Sequence, residues 1–147
     1  MFGSLEGGEG WRRRGATTDD EFTPLYVAAA KGRDAVVKLL LAPGFEADPN
    51  QARTDDGNTP LWVAAENGHA AVVKLLLAPG VGLKLEANPN QAETKYGCTP
   101  LYMAAENGHE AVVKLLLAGG ADRTVETRCG TAAEAAVAHP RIVELLK

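Results

Sequence analysis

The sequence predicts an all-α repeat solenoid, built from short helical hairpins stacked in register. Three observations lead there. A segment recurs three times almost unchanged: "TPLYVAAAKGRDAVVKLLLAPG" from Thr23, "TPLWVAAENGHAAVVKLLLAPG" from Thr59 and "TPLYMAAENGHEAVVKLLLAGG" from Thr99. A degenerate fourth copy, "TAAEAAVAHPRIVELLK", starts at Thr131. Each copy carries its own helix starts and stops. Each is also too short to bury its apolar face alone, so that the neighbouring copy must cover it.

The elements follow in order within a copy. Thr59 is placed to cap a helix, its hydroxyl accepting from an amide of the first turn. Pro60 follows at the position where a missing N–H costs nothing. Leu61 to Ala65 continue a helix of about two turns. Gly68 supplies the positive φ that ends it. In the second helix Val72, Leu75 and Leu76 share one face, Val73 and Leu77 widen it, and Lys74 points outward. Pro79-Gly80 closes the unit. Thr23, Pro24 and Gly32 repeat the pattern in copy one, and Thr99, Pro100 and Gly108 in copy three. The pairs Ala28-Ala29, Ala64-Ala65 and Ala104-Ala105 are small enough for helices to approach closely.

Composition narrows the class. The 147 residues suffice for one domain, and the content of 46% hydrophobic and 23% charged residues is that of a water-soluble fold. With aromatics at 5%, the core must rest on Ala, Val and Leu. A net charge of −4 argues against nucleic acid as a partner. Lys interrupts each greasy stretch, so no membrane span is expected. "MFGSLEGGEGWRRRG" has no apolar core of a secretory leader, and two cysteines are too few for a disulfide framework. Both point to an intracellular, cytoplasmic protein. Residues 1–17 read as a flexible tail and residues 18–147 as the repeat domain.

The stretches "GNTPLWVAAENGHAAVVKLLLAPG" and "GCTPLYMAAENGHEAVVKLLLAGGAD" resemble ankyrin repeats over almost the whole family pattern. The resemblance implies helix–turn–helix units joined by β-hairpin-like finger loops, with a concave face. Three departures stand out. Tyr26, Trp62 and Tyr102 replace the family's His after Thr-Pro-Leu, either as larger packing groups or as an aromatic ladder on the ligand face. Thr23, Thr59, Thr99 and Thr131 stand 36, 40 and 32 residues apart, against about 33 in the family. The additions fall in the loops at 43–53 and 79–93, where Val81, Leu83 and Leu85 could form a greasy lip. Copy four loses two residues between its helices and, with Arg141, Glu144 and Lys147, reads as a C-terminal cap. Copy one has no such device, so its end is expected to be partly covered by residues 1–22, with Trp11 and Phe22, or left for a partner or another repeat.

Chemistry finds little purchase. His69 and His109 occupy the same place in adjacent copies, about 8–10 Å apart if helices pack normally, too far to share one zinc ion. Arg33 holds that place in copy one, so the histidine is expected to support the turn by hydrogen bonding. Cys98 and Cys129 lie in successive fingers, beyond disulfide reach by the same spacing. No metal, no cofactor and no catalytic residue is expected.

The sequence-based expectation is therefore a non-enzymatic protein–protein interaction module. The resemblance places partner contacts on finger tips and first helices: Asp19, Asp20 and Phe22 in copy one, and Asp55, Asp56, Asn58 and Glu66 in copy two. Copy three adds Lys95, Tyr96, Cys98 and Glu106, and copy four Arg128. Carboxylates dominate this strip, which predicts a somewhat basic partner protein. Two alternatives stand beside it. One is a targeting or regulatory segment of a larger enzyme; the other is a scaffold, otherwise monomeric, that self-associates weakly through the N-terminal repeat face.

Overall fold

The computed structural model describes residues 22–45, 47–78 and 86–147. The tail, Asp19, Asp20, Trp11 and the lip of Val81, Leu83 and Leu85 lie outside them. Eight helices occur among the described residues: α1 (Pro24–Ala30), α2 (Asp34–Leu41), α3 (Pro60–Asn67), α4 (Ala70–Leu77), α5 (Pro100–Glu106), α6 (Glu110–Ala118), α7 (Ala132–Ala135) and α8 (Pro140–Leu145). Each copy contributes one antiparallel pair. The first helices stack as α1–α3–α5–α7 and the second as α2–α4–α6–α8. The fold is an all-α repeat solenoid, with one isolated bridge, Thr127 to Gly130, in place of strands among the described residues.

The caps follow the sequence. The hydroxyls of Thr23, Thr59 and Thr99 accept the amide hydrogens of Tyr26, Trp62 and Tyr102 at 3.0–3.1 Å. Thr131 does the same for Glu134, whose carboxylate returns the bond by accepting from the Thr131 amide, a capping box. Leu25, Leu61, Leu101, Leu76 and Leu116 fill a continuous core with Val37, Val73 and Val113. Burying each such side chain contributes about 1.5–3 kcal/mol. The alanine pairs are fully enclosed between stacked first helices.

Adjacent copies are stitched by side chains that reach backward. His109 Nε2 donates to the Glu66 carbonyl at 3.0 Å, and Asn107 donates to the same oxygen at 3.1 Å. His69 and Asn67 repeat this on the Ala30 carbonyl. These are orphan carbonyls at the ends of α1 and α3, which otherwise lack intrahelical donors. The histidine thus does support the turn, but the turn is that of the preceding copy.

A second row of stitches runs along the fingers. Asn50 donates to the Glu86 carbonyl at 3.0 Å and accepts from the Asn88 amide at 2.7 Å. Asn90 repeats the pattern onto Gly120 and Asp122. Nearer the tips, the Thr94 amide donates to the Asp56 carbonyl and the Arg128 amide to the Tyr96 carbonyl. The second finger is thus anchored to the third, and the third to the fourth, at two heights.

Candidate partner-binding surface

The finger tips are built from the backbone outward. In copy three the buried Glu93 carboxylate accepts three amide hydrogens, from Lys95 at 2.6 Å, Tyr96 at 2.9 Å and Cys98 at 3.0 Å. Burial alone would push its pKa up; the three donors outweigh that and hold it below the ordinary carboxylate range. The turn is fixed by this one anion. It leaves Tyr96 43% exposed, with the Lys95 ammonium 5.1 Å from its ring centroid.

Copy two uses a cation at the equivalent position. Arg53 donates to Asp56 at 2.6 Å and to Asp55 at 2.8 Å. Its guanidinium lies 4.1 Å from the Phe22 ring centroid and 5.8 Å from that of Tyr26. The Phe22 and Tyr26 rings are themselves 5.4 Å apart. Arg53 Nε is buried without a hydrogen-bond partner, a cost set against the cation–π contacts. Arg53 did not enter the sequence-based charge count, and it changes that count. Asp55 and Asp56 already have their counter-ion inside the molecule.

On the first helices the carboxylates stand differently. Glu66 and Glu106 occupy equivalent positions on α3 and α5 and make no salt bridge among the described residues. Burial, and then the charge of Glu106, push the Glu66 pKa up. Glu106 is exposed, and its carbonyl accepts from His139 at 3.2 Å. Asn58 is half-buried, and its backbone amide donates to the Asp56 carboxylate at 3.0 Å. Arg128 is exposed at the shorter fourth finger.

Two expectations are corrected by burial. Cys98 is enclosed under its finger, and its carbonyl accepts from Trp62 Nε1 at 3.0 Å, so its side chain presents nothing to a partner. Burial, with the Glu93 charge beside it, pushes the Cys98 thiol up to about 11. The aromatic ladder is internal as well: Tyr26, Trp62 and Tyr102 are 6–8% exposed. They are packing groups at the starts of the first helices. Cys98 and Cys129 are both free thiols.

The four threonine caps, the three backward-reaching histidines and the anchored fingers recur in register from copy to copy. A family model for ankyrin repeats matches three overlapping stretches, residues 11–87, 45–127 and 82–147. The chain belongs to the ankyrin-repeat family. No curated protein matches it. Ankyrin repeats are generally protein–protein interaction modules. Among the described residues no group of three or more His, Cys, Asp or Glu side chains could hold a metal ion, and no helix is long and apolar enough to cross a membrane.

Sequence reasoning missed Arg53, Glu93 and the stitching role of Asn50 and Asn90. A signal existed for the last two. "DPNQAR" and "NPNQAE" recur at the same place before the second and third fingers, more closely than a freely varying loop requires.

Proposed function

We propose that this ankyrin array is a non-enzymatic binding module whose partner protein lies across the third and fourth finger tips and the C-terminal ends of α3 and α5. The observation that carries the reading is Tyr96, an exposed aromatic on a turn fixed by the Glu93 carboxylate. A side chain held in place before contact loses little entropy on binding, and tyrosine is among the residues that dominate interface energies. Lys95, Tyr96 and Arg128 form the tip contact, with Asp55 and Asn58 at its margin. Glu66 and Glu106 form the helix contact.

The partner's charge follows from what is already paired. Asp55 and Asp56 are held by Arg53, so the demand for basic residues comes from Glu66 and Glu106. A partner Lys or Arg between those two carboxylates relieves their mutual repulsion. The tips, with Lys95 and Arg128, favour a neutral or acidic segment. The partner is therefore basic where it meets the helices rather than throughout. Phe22, with Asp19 and Asp20, would extend the strip into copy one.

Full-length wild-type protein, Tyr96→Ala and Lys74→Glu serve as baits in native extract, each checked for unchanged circular dichroism. Lys74 is exposed on the second-helix side. A partner retained by wild type and by Lys74→Glu should bind Tyr96→Ala at least about tenfold more weakly. Equal retention by Tyr96→Ala, or loss through Lys74→Glu, moves the site elsewhere.

A further inference from the structure

The segment "AAENGH" occurs twice, at residues 64–69 and 104–109. Each copy of it places an exposed asparagine directly before a glycine. Asparagine is a thermolabile residue, and a following glycine makes it more so. With no side chain in the way, the next backbone nitrogen can reach the asparagine's side-chain carbonyl carbon. Both asparagines are also stitches: Asn67 Nδ2 donates to the Ala30 carbonyl and Asn107 Nδ2 to the Glu66 carbonyl, each at 3.1 Å. The same six letters thus stand at two junctions, between copies one and two and between copies two and three.

While a junction is closed, the reaction is held off. Asn67 is the last residue of α3, and the Gly68 amide donates to the Ala65 carbonyl at 3.3 Å. Helical ψ turns that nitrogen away from Asn67 Cγ, so ring closure requires the last turn of α3 to open and the bond to Ala30 to break. Gly108 makes the matching bond to Ala105. The two junctions differ in what holds them shut. Copies two and three are also joined through their fingers, by Asn50 on Glu86 and Asn88 and by the Thr94 amide on the Asp56 carbonyl. Copy one stands at the end of the described stack. Its Val36 and Leu39 on α2 are 45% and 56% exposed, whereas Val72 and Val112, in the place of Val36, are 0–1% exposed. An end copy opens alone; opening at Asn107 has to part the middle of the stack.

We propose that Asn67 is a site of self-modification, at which deamidation through an Asn67–Gly68 succinimide loosens copy one from copy two in one direction only. The Gly68 nitrogen attacks Asn67 Cγ and loses its proton to solvent. The side-chain nitrogen takes up a proton and leaves as ammonia, closing the ring. Water then adds at either ring carbonyl and leaves aspartate or isoaspartate. A carboxylate has no hydrogen to donate to the Ala30 carbonyl, so a bond becomes a repulsion. His69 keeps its own bond to that oxygen, so copy one stays attached but opens more often. The reaction consumes only water, and hydrolysis does not restore the amide. This inference does not depend on which protein the finger tips bind.

The repeated segment carries its own control. In denaturant Asn67 and Asn107 should deamidate at the same rate, because their neighbours are identical from Ala64 to His69 and from Ala104 to His109. The folded full-length chain is aged in mildly alkaline buffer and followed by peptide mapping with isoaspartate detection. There Asn67 should react at least about fivefold faster than Asn107. Asn67→Asp, which mimics one product, should speed amide exchange in α1 and α2 roughly tenfold and leave α6 unchanged. Equal rates in the folded chain, faster loss at Asn107, no product at Asn67, or α1 and α2 exchange indifferent to Asn67→Asp would each overturn it.

Discussion

His109 lies across Gly68. Its Nε2 donates to the Glu66 carbonyl at 3.0 Å, and its ring occupies the space a Cβ on Gly68 would need, 2.5 Å from Nδ1. Gly68 has φ of 75°, the left-handed region that glycine enters without strain. One residue pair therefore ends α3, satisfies its last carbonyls and sets the spacing to the next copy. His69 on Gly32 and His139 on Gly108 repeat the relationship.

His139 gives the first prediction. It caps α8, and its bond to the Glu106 carbonyl is the histidine stitch of copy four, which lacks an equivalent of Asn107. Replacing it with alanine should cost about 1–2 kcal/mol. The loss should be local, with amide exchange rising in α7 and α8 and little changed in α3.

Glu93 should make the third finger acid-sensitive. Its pKa is lowered in the folded chain, so the stability it contributes is complete above the ordinary glutamate value of about 4.3 and is lost as pH falls through the lower folded value. At pH 7 Glu93→Gln should be less stable than wild type by about 1–3 kcal/mol. Denaturant melts at descending pH should show that gap narrowing below about pH 4.

The two cysteines should react unequally. Cys98 is buried with its thiol pushed up to about 11, while Cys129 is exposed. The thiolate is the nucleophile. A disulfide reagent at pH 7.5 should therefore titrate one thiol promptly in the native chain and both in denaturant. Two prompt equivalents would mean that the third finger opens.

Glu66 reports on its neighbour. Burial and then the Glu106 charge push its pKa up. Neutralising that neighbour with Glu106→Gln should shift the Glu66 titration, followed by carboxyl carbon resonance, to lower pH. No shift would place the two side chains farther apart than the proposed helix contact requires.

Much of this was legible in the sequence. The helix boundaries came from Thr-Pro-Leu and from Gly68 because capping is local chemistry, decided within four residues. The alanine pairs gave the close approach of α1, α3 and α5. What escaped was side-chain contact beyond the helix ends, both between copies and within the fingers. The deletion in copy four disguised His139 as a lost turn, although its ring stands where His69 and His109 stand. Asp55 and Asp56 read as free anions because nothing in their spacing shows that Arg53 folds back onto them. Cys98 looked accessible because finger positions alternate between solvent and the layer beneath, which only coordinates resolve.

The central claim is that successive copies lock together through a histidine ring seated on a glycine. A double-mutant cycle at Gly68 and His109 measures that contact alone. Gly68→Ala should cost roughly 2–4 kcal/mol in the wild-type background, and at least about 1 kcal/mol less when His109→Ala has already removed the ring. Additive costs, with no coupling between the two positions, would contradict the account.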